Sequence, residues 1–178
     1  MNNDESRRLL RRIRWLVGLF IAGLFVSGAT AIPLESEVTW LAKVTGAHTL
    51  MESSVTPAPM WAVWLCRVEE ALRETNLKHP FIGYGGDWLA FGHFIIALTF
   101  LGAWRDPVRN RWLFDFGLIA CALVIPYALV FGGLRGIPLW WRLIDCSFGV
   151  LGAVSLWFAR REVLKLESTD LSHVSNAA

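Results

Sequence analysis

Four long apolar stretches, separated by charged segments, dominate the pattern along the chain. They cover residues 15–33, 88–104, 112–133 and 140–159. Each is close to the roughly 20 apolar residues that a helix needs to cross about 30 Å of hydrocarbon. The pattern therefore predicts an all-α polytopic membrane protein, a four-helix transmembrane bundle that forms a single membrane domain over residues 1–178.

Tryptophan residues mark the ends of these stretches. The indole ring favours the headgroup level, because its body is apolar and its N–H can meet water. Abundance alone would scatter the ten tryptophans along the chain, but seven lie at or near a predicted span end: Trp15, Trp88, Trp104, Trp112, Trp140, Trp141 and Trp157. Their placement supports the predicted bounds of the four spans.

Arginine and lysine residues predict the orientation of the spans. The N-terminal tail, residues 1–14, holds five arginines, the 105–111 loop holds three, and the C-terminal tail, residues 160–178, holds two arginines and a lysine. Four spans place these regions on one side of the membrane, and the positive-inside rule makes that side the cytoplasm. Both termini are therefore predicted to be cytoplasmic, and the long loop over residues 34–87 is predicted to face outward.

A signal peptide is the competing interpretation of the N-terminus. The basic segment Arg7–Arg14 is followed by the apolar run Trp15–Val26 and then by Ala29-Thr30-Ala31, which matches an A-x-A cleavage site. Cleavage there would leave three spans with the same orientation. The pattern alone leaves both interpretations open.

Composition agrees with a membrane protein and excludes several other classes. The mean hydropathy is +0.44, and 54% of residues are hydrophobic while only 18% are charged. A net charge of +2 without a basic-aromatic surface pattern does not indicate a nucleic-acid partner. Cys66, Cys121 and Cys146 are far apart and form no CxxC, so we expect no disulfide framework, no metal site and no cofactor.

The outward loop is too long to be a simple connector. We predict a short helix from Ser36, as its cap, through Val44, then a turn-rich patch over residues 53–59 and a second turn at Gly83-Tyr84-Gly85-Gly86. Between the turns, apolar side chains recur at helical spacing, and they are Trp61, Trp64, Leu65, Val68 and Leu72.

This spacing predicts an amphipathic helix with an i,i+4 ion pair between Glu69 and Arg73. Such a helix would lie on the outer membrane surface or across the mouth of the bundle. It would serve either as a packing element or as a lid over a site.

Most of the unexplained polar groups fall in the outward half of the spans. Asp87 stands at the entrance of the second span, and His93 lies about 9 Å deeper at helical rise. Arg142 begins the fourth span, Asp145 lies about one turn deeper, and Arg135 precedes them in the connecting loop. Because ionisable groups in a bilayer usually have partners and functions, these five residues are the candidate ligand-binding residues.

The pairing of these groups is open at this stage. Asp87 can approach Arg142 or Arg135 by depth, and Asp145 can approach His93. Alternatively, Arg142 and Asp145 pair with each other at i,i+3, and His93 is a hydrogen-bonded core residue.

Helix-breaking and small residues accompany the polar groups. Pro126 breaks the backbone hydrogen-bond pattern of the third span in the same leaflet, because it lacks an N–H. Gly149 and Gly152 follow Asp145 on its face of the fourth span and would admit another helix.

Two segments resemble the VanZ-like family of small bacterial membrane proteins. They are Asp87-Trp88-Leu89-Ala90-Phe91-Gly92-His93 and Ile137-Pro138-Leu139-Trp140-Trp141-Arg142-Leu143-Ile144-Asp145. The family combines an Asp and a His at the start of one span with an Arg that precedes an Asp at the start of the last. The resemblance covers residues 84–159 and an N-terminal span. It implies a multi-pass protein of the bacterial cell (inner) membrane with a part in cell-envelope chemistry. Another four-span family with this arrangement is the alternative.

Two functional hypotheses follow. In the first, the protein binds or handles an amphiphilic cell-envelope ligand, such as a lipid or glycan. Arg135 and Arg142 would hold its anionic headgroup, and His93 and Asp145 would orient or protonate it. In the second, the protein is a non-catalytic subunit that docks a larger membrane protein through the glycine face of the fourth span and the amphipathic helix.

Catalysis is not assigned to any residue. Asp87, His93 and Asp145 have side chains capable of acid–base chemistry, but no motif specifies a nucleophile. A haem-bearing bundle needs paired axial ligands at bilayer depth, and His93 is the only histidine inside a predicted span.

Overall fold

Every regular element that the structure describes is helical. The structure is a computed structural model that describes residues 3–53 and 57–176, and side chains within 4–53 and 57–168; the middle of the predicted turn patch lies outside these ranges. The helices are α1 (Asn3–Ala31), α2 (Leu34–Thr45), α3 (Ala47–Glu52), α4 (Met60–Lys78), α5 (Tyr84–Arg105), α6 (Arg111–Leu134) and α7 (Leu139–Asn176), with a 3-10 turn at Pro80–Gly83 before α5. The predicted all-α class is confirmed.

Four of the described helices are long and apolar enough to cross a membrane. The spans are Asp4–Ala31, Pro80–Arg105, Arg111–Leu134 and Leu139–Ser168, and only 17–22% of each apolar window is buried inside the protein. Large apolar side chains such as Leu19, Leu123 and Leu151 are exposed along them. Such surfaces suit lipid rather than water, and the helices satisfy their own backbone hydrogen bonds. The chain is therefore a multi-pass membrane protein with an all-α four-helix bundle.

The bounds of the helices differ from the predicted ones in two places. Helix α1 ends at Ala31, two residues before the predicted limit, and Pro33 is the N-cap of α2. The predicted glycine-rich turn is wrong, because α5 already begins at Tyr84 and contains Gly85 and Gly86. The short 3-10 turn at Pro80–Gly83 makes the change of direction instead.

The described chain divides into two compact units. Unit 1 comprises Met1–Leu24 and Ile96–Ala178, and unit 2 comprises Phe25–Ile95. Unit 1 contains the first part of α1, the last part of α5, and all of α6 and α7. Unit 2 contains the end of α1, the helices α2 to α4, and the first part of α5.

Unit 1 has a core in which α6 and α7 approach closely as an antiparallel hairpin. Phe100, Phe114 and Leu156 are fully buried there. A Cβ on Gly149 would lie 2.7 Å from the carbonyl oxygen of Cys121, and one on Gly152 would lie 2.9 Å from the Cys121 sulfur. The glycine face of α7 is therefore occupied by α6 and by Phe20 of α1 within the same chain, and a role as a subunit of a larger complex stays a prediction.

The two tails of the chain continue the spans as helices. Leu9 and Ile13 of α1 belong to the same buried cluster as Val163 and Leu166 of α7. The apolar positions 9, 13 and 17 recur at i, i+4 and i+8, which keeps one face of α1 against the cluster. This packing holds the arginine-rich start of α1 in a fixed helical form.

Unit 2 has a small core of its own. Val38 and Ala42 of α2, Ala47 of α3, and Ala62 and Leu65 of α4 form it. The amphipathic helix predicted at residues 61–74 is confirmed within α4, and its apolar face packs at least partly on α2 and α3. Helix α2 begins at Leu34 and has no side-chain cap, so the predicted Ser36 cap is wrong.

Candidate functional site

A tight turn joins α6 to α7 and shapes what we call the α6–α7 corner, residues 129–145. Gly136 has a left-handed φ of 71°. Its N–H donates to the carbonyl of Gly133 at 3.1 Å, and the N–H of Ile137 donates to the carbonyl of Gly132 at 2.8 Å. This is the Schellman arrangement, which satisfies carbonyl groups at a helix end and favours glycine at the left-handed position. It brings the start of α7 directly against the end of α6.

Arg142 fastens the two helices at this corner. Its Nη1 donates to the carbonyl oxygen of Leu129 at 2.9 Å. Its hydrocarbon stem crosses Gly132, where a Cβ would come within 2.6 Å of the Arg142 Cδ. A cation near the C-terminal end of α6 also complements the helix dipole. The Nε of Arg142 is buried and has no hydrogen-bond partner among the described residues.

Asp145 lies one turn further along α7 and is partly buried. Arg142 and Asp145 form no ion pair, so the i,i+3 alternative is wrong. Among the residues that the structure describes, none donates a hydrogen bond to the Asp145 carboxylate. An ionisable group inside a span usually has a partner, and Asp145 is therefore the exception at this corner.

Pro126 lies inside α6, the helix that packs against α7. Helix α6 runs continuously from Arg111 to Leu134 through Pro126, so the missing N–H of the proline does not end the helix. The carbonyl oxygen of Ile125, the residue before it, lies 3.8 Å from the Cys146 sulfur, a weak contact.

Arg135 caps the C-terminal end of α6 with its backbone and exposes its side chain. Its N–H donates to the carbonyl of Phe131 at 3.0 Å. The guanidinium forms no ion pair within the described part of the chain. Arg135 is therefore positioned to contact a group that approaches the corner from the membrane interface.

His93 and Asp87 lie in unit 2, on the first part of α5. The Nδ1 of His93 is 2.8 Å from the carbonyl oxygen of Leu89. A carbonyl only accepts, so Nδ1 carries the hydrogen and Nε2 of the neutral ring is an acceptor. Gly28 lets α1 approach α5 closely here, since a Cβ on Gly28 would lie 3.0 Å from the His93 Cβ. The predicted hydrogen-bonded histidine is therefore confirmed for its Nδ1.

Asp87 occupies the first turn of α5, where a carboxylate is stabilised by the positive end of the helix dipole. This position gives Asp87 an ordinary structural role, whatever else it does. Its predicted pairing with Arg142 or Arg135, and that of Asp145 with His93, stay predictions.

A second polar cluster was missed by the sequence reasoning. His48, Cys66, Glu69, Glu70 and Arg73 line an open groove of about 520 Å³ in unit 2. His48 Nε2 is 2.7 Å from Glu69 Oε2, and Arg73 pairs with Glu70 at 2.9 Å. The predicted Glu69–Arg73 pair is therefore wrong. Helical spacing allowed Arg73 to pair with either Glu69 or Glu70. It could not show that α3 places His48 beside Glu69.

Cys66 in this groove is a slowly reacting thiol rather than an activated one. Burial raises its pKa, and the negative charge of Glu69 raises the pKa further. Because the thiolate is the nucleophile, a raised pKa does not suit a catalytic cysteine. No group of three or more His, Cys, Asp or Glu side chains in the described residues is placed to hold a metal ion.

We expect Glu69→Gln to accelerate maleimide labelling of Cys66 at pH 8 by a few fold. Removing the carboxylate charge lowers the thiol pKa and increases the thiolate fraction, while burial keeps the pKa above that of a free thiol. The matched control is Glu70→Gln, which removes the same charge one position away and leaves the labelling rate near that of the unaltered protein. Equal rates in all three proteins would contradict the assigned role of Glu69.

Ion pairs fasten the opposite, arginine-rich end of unit 1. Arg160 Nε lies 2.6 Å from Asp115 Oδ1, and Arg111 Nη1 lies 2.7 Å from Glu167 Oε2. Both pairs join α6 to α7. Asp115 is thus a structural residue, which its position near the start of a span did not reveal.

No family model matches the chain, and neither the curated proteins nor the solved structures contain a match. The resemblance to VanZ-like proteins therefore stays a prediction that depends on the two segments quoted above. The chemistry of the α6–α7 corner follows from its own residues.

Proposed function

We propose that this multi-pass membrane protein binds an amphiphilic cell-envelope ligand whose polar head lies beside Asp145 at the α6–α7 corner. One observation carries the proposal: the Asp145 carboxylate lies within a span and has no hydrogen-bond or ion-pair partner among the described residues of unit 1. An aspartate at the centre of a transmembrane helix costs about 2.5–3.5 kcal/mol, and less nearer the interface. A ligand that donates hydrogen bonds to the carboxylate offsets that cost.

The other polar groups of the corner define the chemistry of the ligand. Arg135 is exposed, and Arg142 has a buried Nε that lacks an acceptor. Guanidinium groups favour phosphate or carboxylate, whereas Asp145 favours hydroxyl or amine donors. A lipid headgroup that carries both an anionic group and hydroxyl or amine groups satisfies all three residues. His93 and Asp87 belong to the other unit, and their participation is a separate proposal that needs its own variants.

The orientation of the corner is part of the proposal. The positive-inside rule supports a cytoplasmic location for the arginine-rich end, which places the α6–α7 corner in the outer leaflet. The resemblance to the VanZ-like family supports a bacterial inner membrane and an envelope ligand. Labelling with a membrane-impermeant maleimide tests this orientation, because Cys66 reacts in intact cells only if the loop over residues 34–87 faces outward.

The binding proposal is tested with Asp145→Asn. The purified protein is equilibrated with a bacterial polar-lipid extract in mild detergent, and the retained amphiphiles are quantified by mass spectrometry. We expect a specific amphiphile in the unaltered protein and at least about a ten-fold loss in Asp145→Asn, which corresponds to about 1.4 kcal/mol.

Ser147→Ala is the matched control for this measurement. Ser147 lies two residues along α7, and its hydroxyl only donates to the carbonyl of Ile144 in its own helix. The control should retain the amphiphile. Identical lipid profiles for both variants and the unaltered protein would show that Asp145 holds no ligand.

A further inference from the structure

A groove runs between α1 and α7 at the arginine-rich end of unit 1. It is open, has a volume of about 450 Å³, and is lined by Glu5, Arg8, Leu9, Arg12, Glu162, Lys165 and Ser168. Arg8 and Arg12 stand at i,i+4 on the same face of α1, so their guanidinium groups border the groove together.

Among the described residues that line this groove, the three basic side chains outnumber the two acidic ones. Lys165 pairs with Glu162 at 3.1 Å, and Arg111, Arg160 and Arg14 bind Glu167, Asp115 and the carbonyl of Trp104. Within the described part of the chain, no carboxylate lies within ion-pair distance of four arginines of α1, and these are Arg7, Arg8, Arg11 and Arg12. These four side chains are exposed and are therefore accessible to a partner from outside the chain.

The helix holds these arginines in place against their own repulsion. Like charges at i,i+4 destabilise an isolated helix by a few tenths of a kcal/mol for each pair. The packing of Leu9 and Ile13 against Val163 and Leu166 keeps this segment of α1 helical all the same. The arginines are therefore already ordered before any partner binds.

The groove lies at the depth of lipid headgroups. Trp15 marks the membrane interface on α1, and at helical rise Arg12 lies about 4.5 Å and Arg8 about 10.5 Å beyond it. The headgroup layer on each side of a bilayer is roughly 5–8 Å thick. Arg12 thus reaches the layer in which lipid phosphates lie, and Arg8 reaches its aqueous margin.

We propose that this groove binds the phosphate of an anionic phospholipid from the adjoining leaflet, through Arg8 and Arg12. Basic groups near the ends of transmembrane helices attract anionic lipids, and guanidinium matches phosphate with two hydrogen bonds. Lys165 pairs with the Oε1 of Glu162 and offsets its negative charge, while the Oε2 is buried without a partner among the described residues. Glu5 also borders the groove and adds a negative charge to its rim.

The test compares two pairs of arginines with the same charge and spacing. Arg8 and Arg12 border the groove, whereas Arg7 and Arg11 lie one residue further round the helix, away from it. The full chain in detergent is titrated with phosphatidylglycerol or with phosphatidylcholine of the same acyl chains, and bound lipid is counted by native mass spectrometry. A third arm adds inorganic phosphate as a competitor.

We expect phosphatidylglycerol to bind in preference to phosphatidylcholine, and millimolar inorganic phosphate not to displace it. In R8Q/R12Q the affinity for phosphatidylglycerol should fall about 30-fold, since each basic residue near the surface contributes about five-fold. In R7Q/R11Q the fall should stay below about three-fold. In R8K/R12K, which keeps the charge, the affinity should remain within a few fold of that of the unaltered protein.

Several outcomes would overturn the proposal. Equal losses in R8Q/R12Q and R7Q/R11Q would indicate diffuse attraction to the whole basic segment rather than a site. Equal binding of the two lipids, or displacement by inorganic phosphate, would show that the groove does not recognise a lipid headgroup. The thermal unfolding of each variant is recorded in parallel, and a loss of binding counts only where the unfolding is unchanged. This site and the α6–α7 corner lie at opposite ends of α7, so either can fail without the other.

Discussion

Replacing Gly149 with valine should separate α6 from α7 and lower the free energy of unfolding by about 1–3 kcal/mol or more. A Cβ at this position would lie 2.7 Å from the carbonyl oxygen of Cys121 and 3.3 Å from the Cβ of Val124. The first of these contacts is with backbone, which cannot move aside by rotating a side chain. The two helices must therefore shift apart along the length of their contact, and packed side chains such as Leu156 lose neighbours.

Denaturation of the purified protein by sodium dodecyl sulfate, followed by circular dichroism, measures this loss. Gly92→Val is the matched control, because Gly92 also lies inside a transmembrane helix but has no atom within 4 Å of an added Cβ. Any cost of placing a β-branched residue in a helix is then common to both variants. Equal stability of the two would contradict the close packing of α6 and α7.

Replacing Arg142 with methionine should cost about 1.5–3 kcal/mol of stability, the range for a hydrogen bond with a charged partner. Methionine keeps a stem that packs over Gly132 and removes the guanidinium that donates to the Leu129 carbonyl. The corner should then open, and the ends of α6 and α7 should exchange amide hydrogens faster than they do in the unaltered protein.

The control for this prediction is Arg135→Met at the same corner. Arg135 is exposed and its guanidinium makes no ion pair with the described residues, so its replacement should leave stability unchanged within about 0.5 kcal/mol. If Arg142 served only to bind a ligand, both variants would have the stability of the unaltered protein without ligand. That result would exclude the fastening role of Arg142.

The transmembrane spans could be predicted from the sequence because a bilayer permits few solutions. A spanning segment must be helical, and its length is set by the thickness of the hydrocarbon. The helices α5, α6 and α7 accordingly contain the predicted stretches 88–104, 112–133 and 140–159. The helical tails were harder to predict, because the arginines between Leu9 and Val17 lower the hydropathy and obscure their spacing.

The partners of the candidate residues could not be predicted in the same way. Position along a helix gives depth in the membrane but not the direction in which a side chain points. Arg142 was expected to pair with a carboxylate, and it binds the backbone carbonyl of Leu129, a partner that no side chain in the sequence indicates. The two adjacent glycines at 132 and 133 were the one available signal, since they leave room for a long side chain.

The glycines of α7 show that a close helix contact can be predicted while the helix that makes it cannot. Gly149 and Gly152 correctly indicated a close helix contact, but a pattern of small residues does not say which helix makes it. The structure assigns that contact to Cys121 and its neighbours in α6. The same holds for α4: its apolar stripe and a short helix within α2 were both predicted, but the packing of α4 on α2 and α3 was not.

The length of α7 connects the two proposed sites mechanically. The helix has 38 residues and no interruption, so it extends about 57 Å at 1.5 Å per residue, beyond the 40–45 Å of a whole bilayer. A continuous helix of this kind tilts as a rod, and a tilt that widens the corner at Arg142 must also move Lys165 against α1. We therefore expect any tilt of α7 caused by an occupant beside Asp145 to move the end of the helix that borders the groove at Arg8 and Arg12.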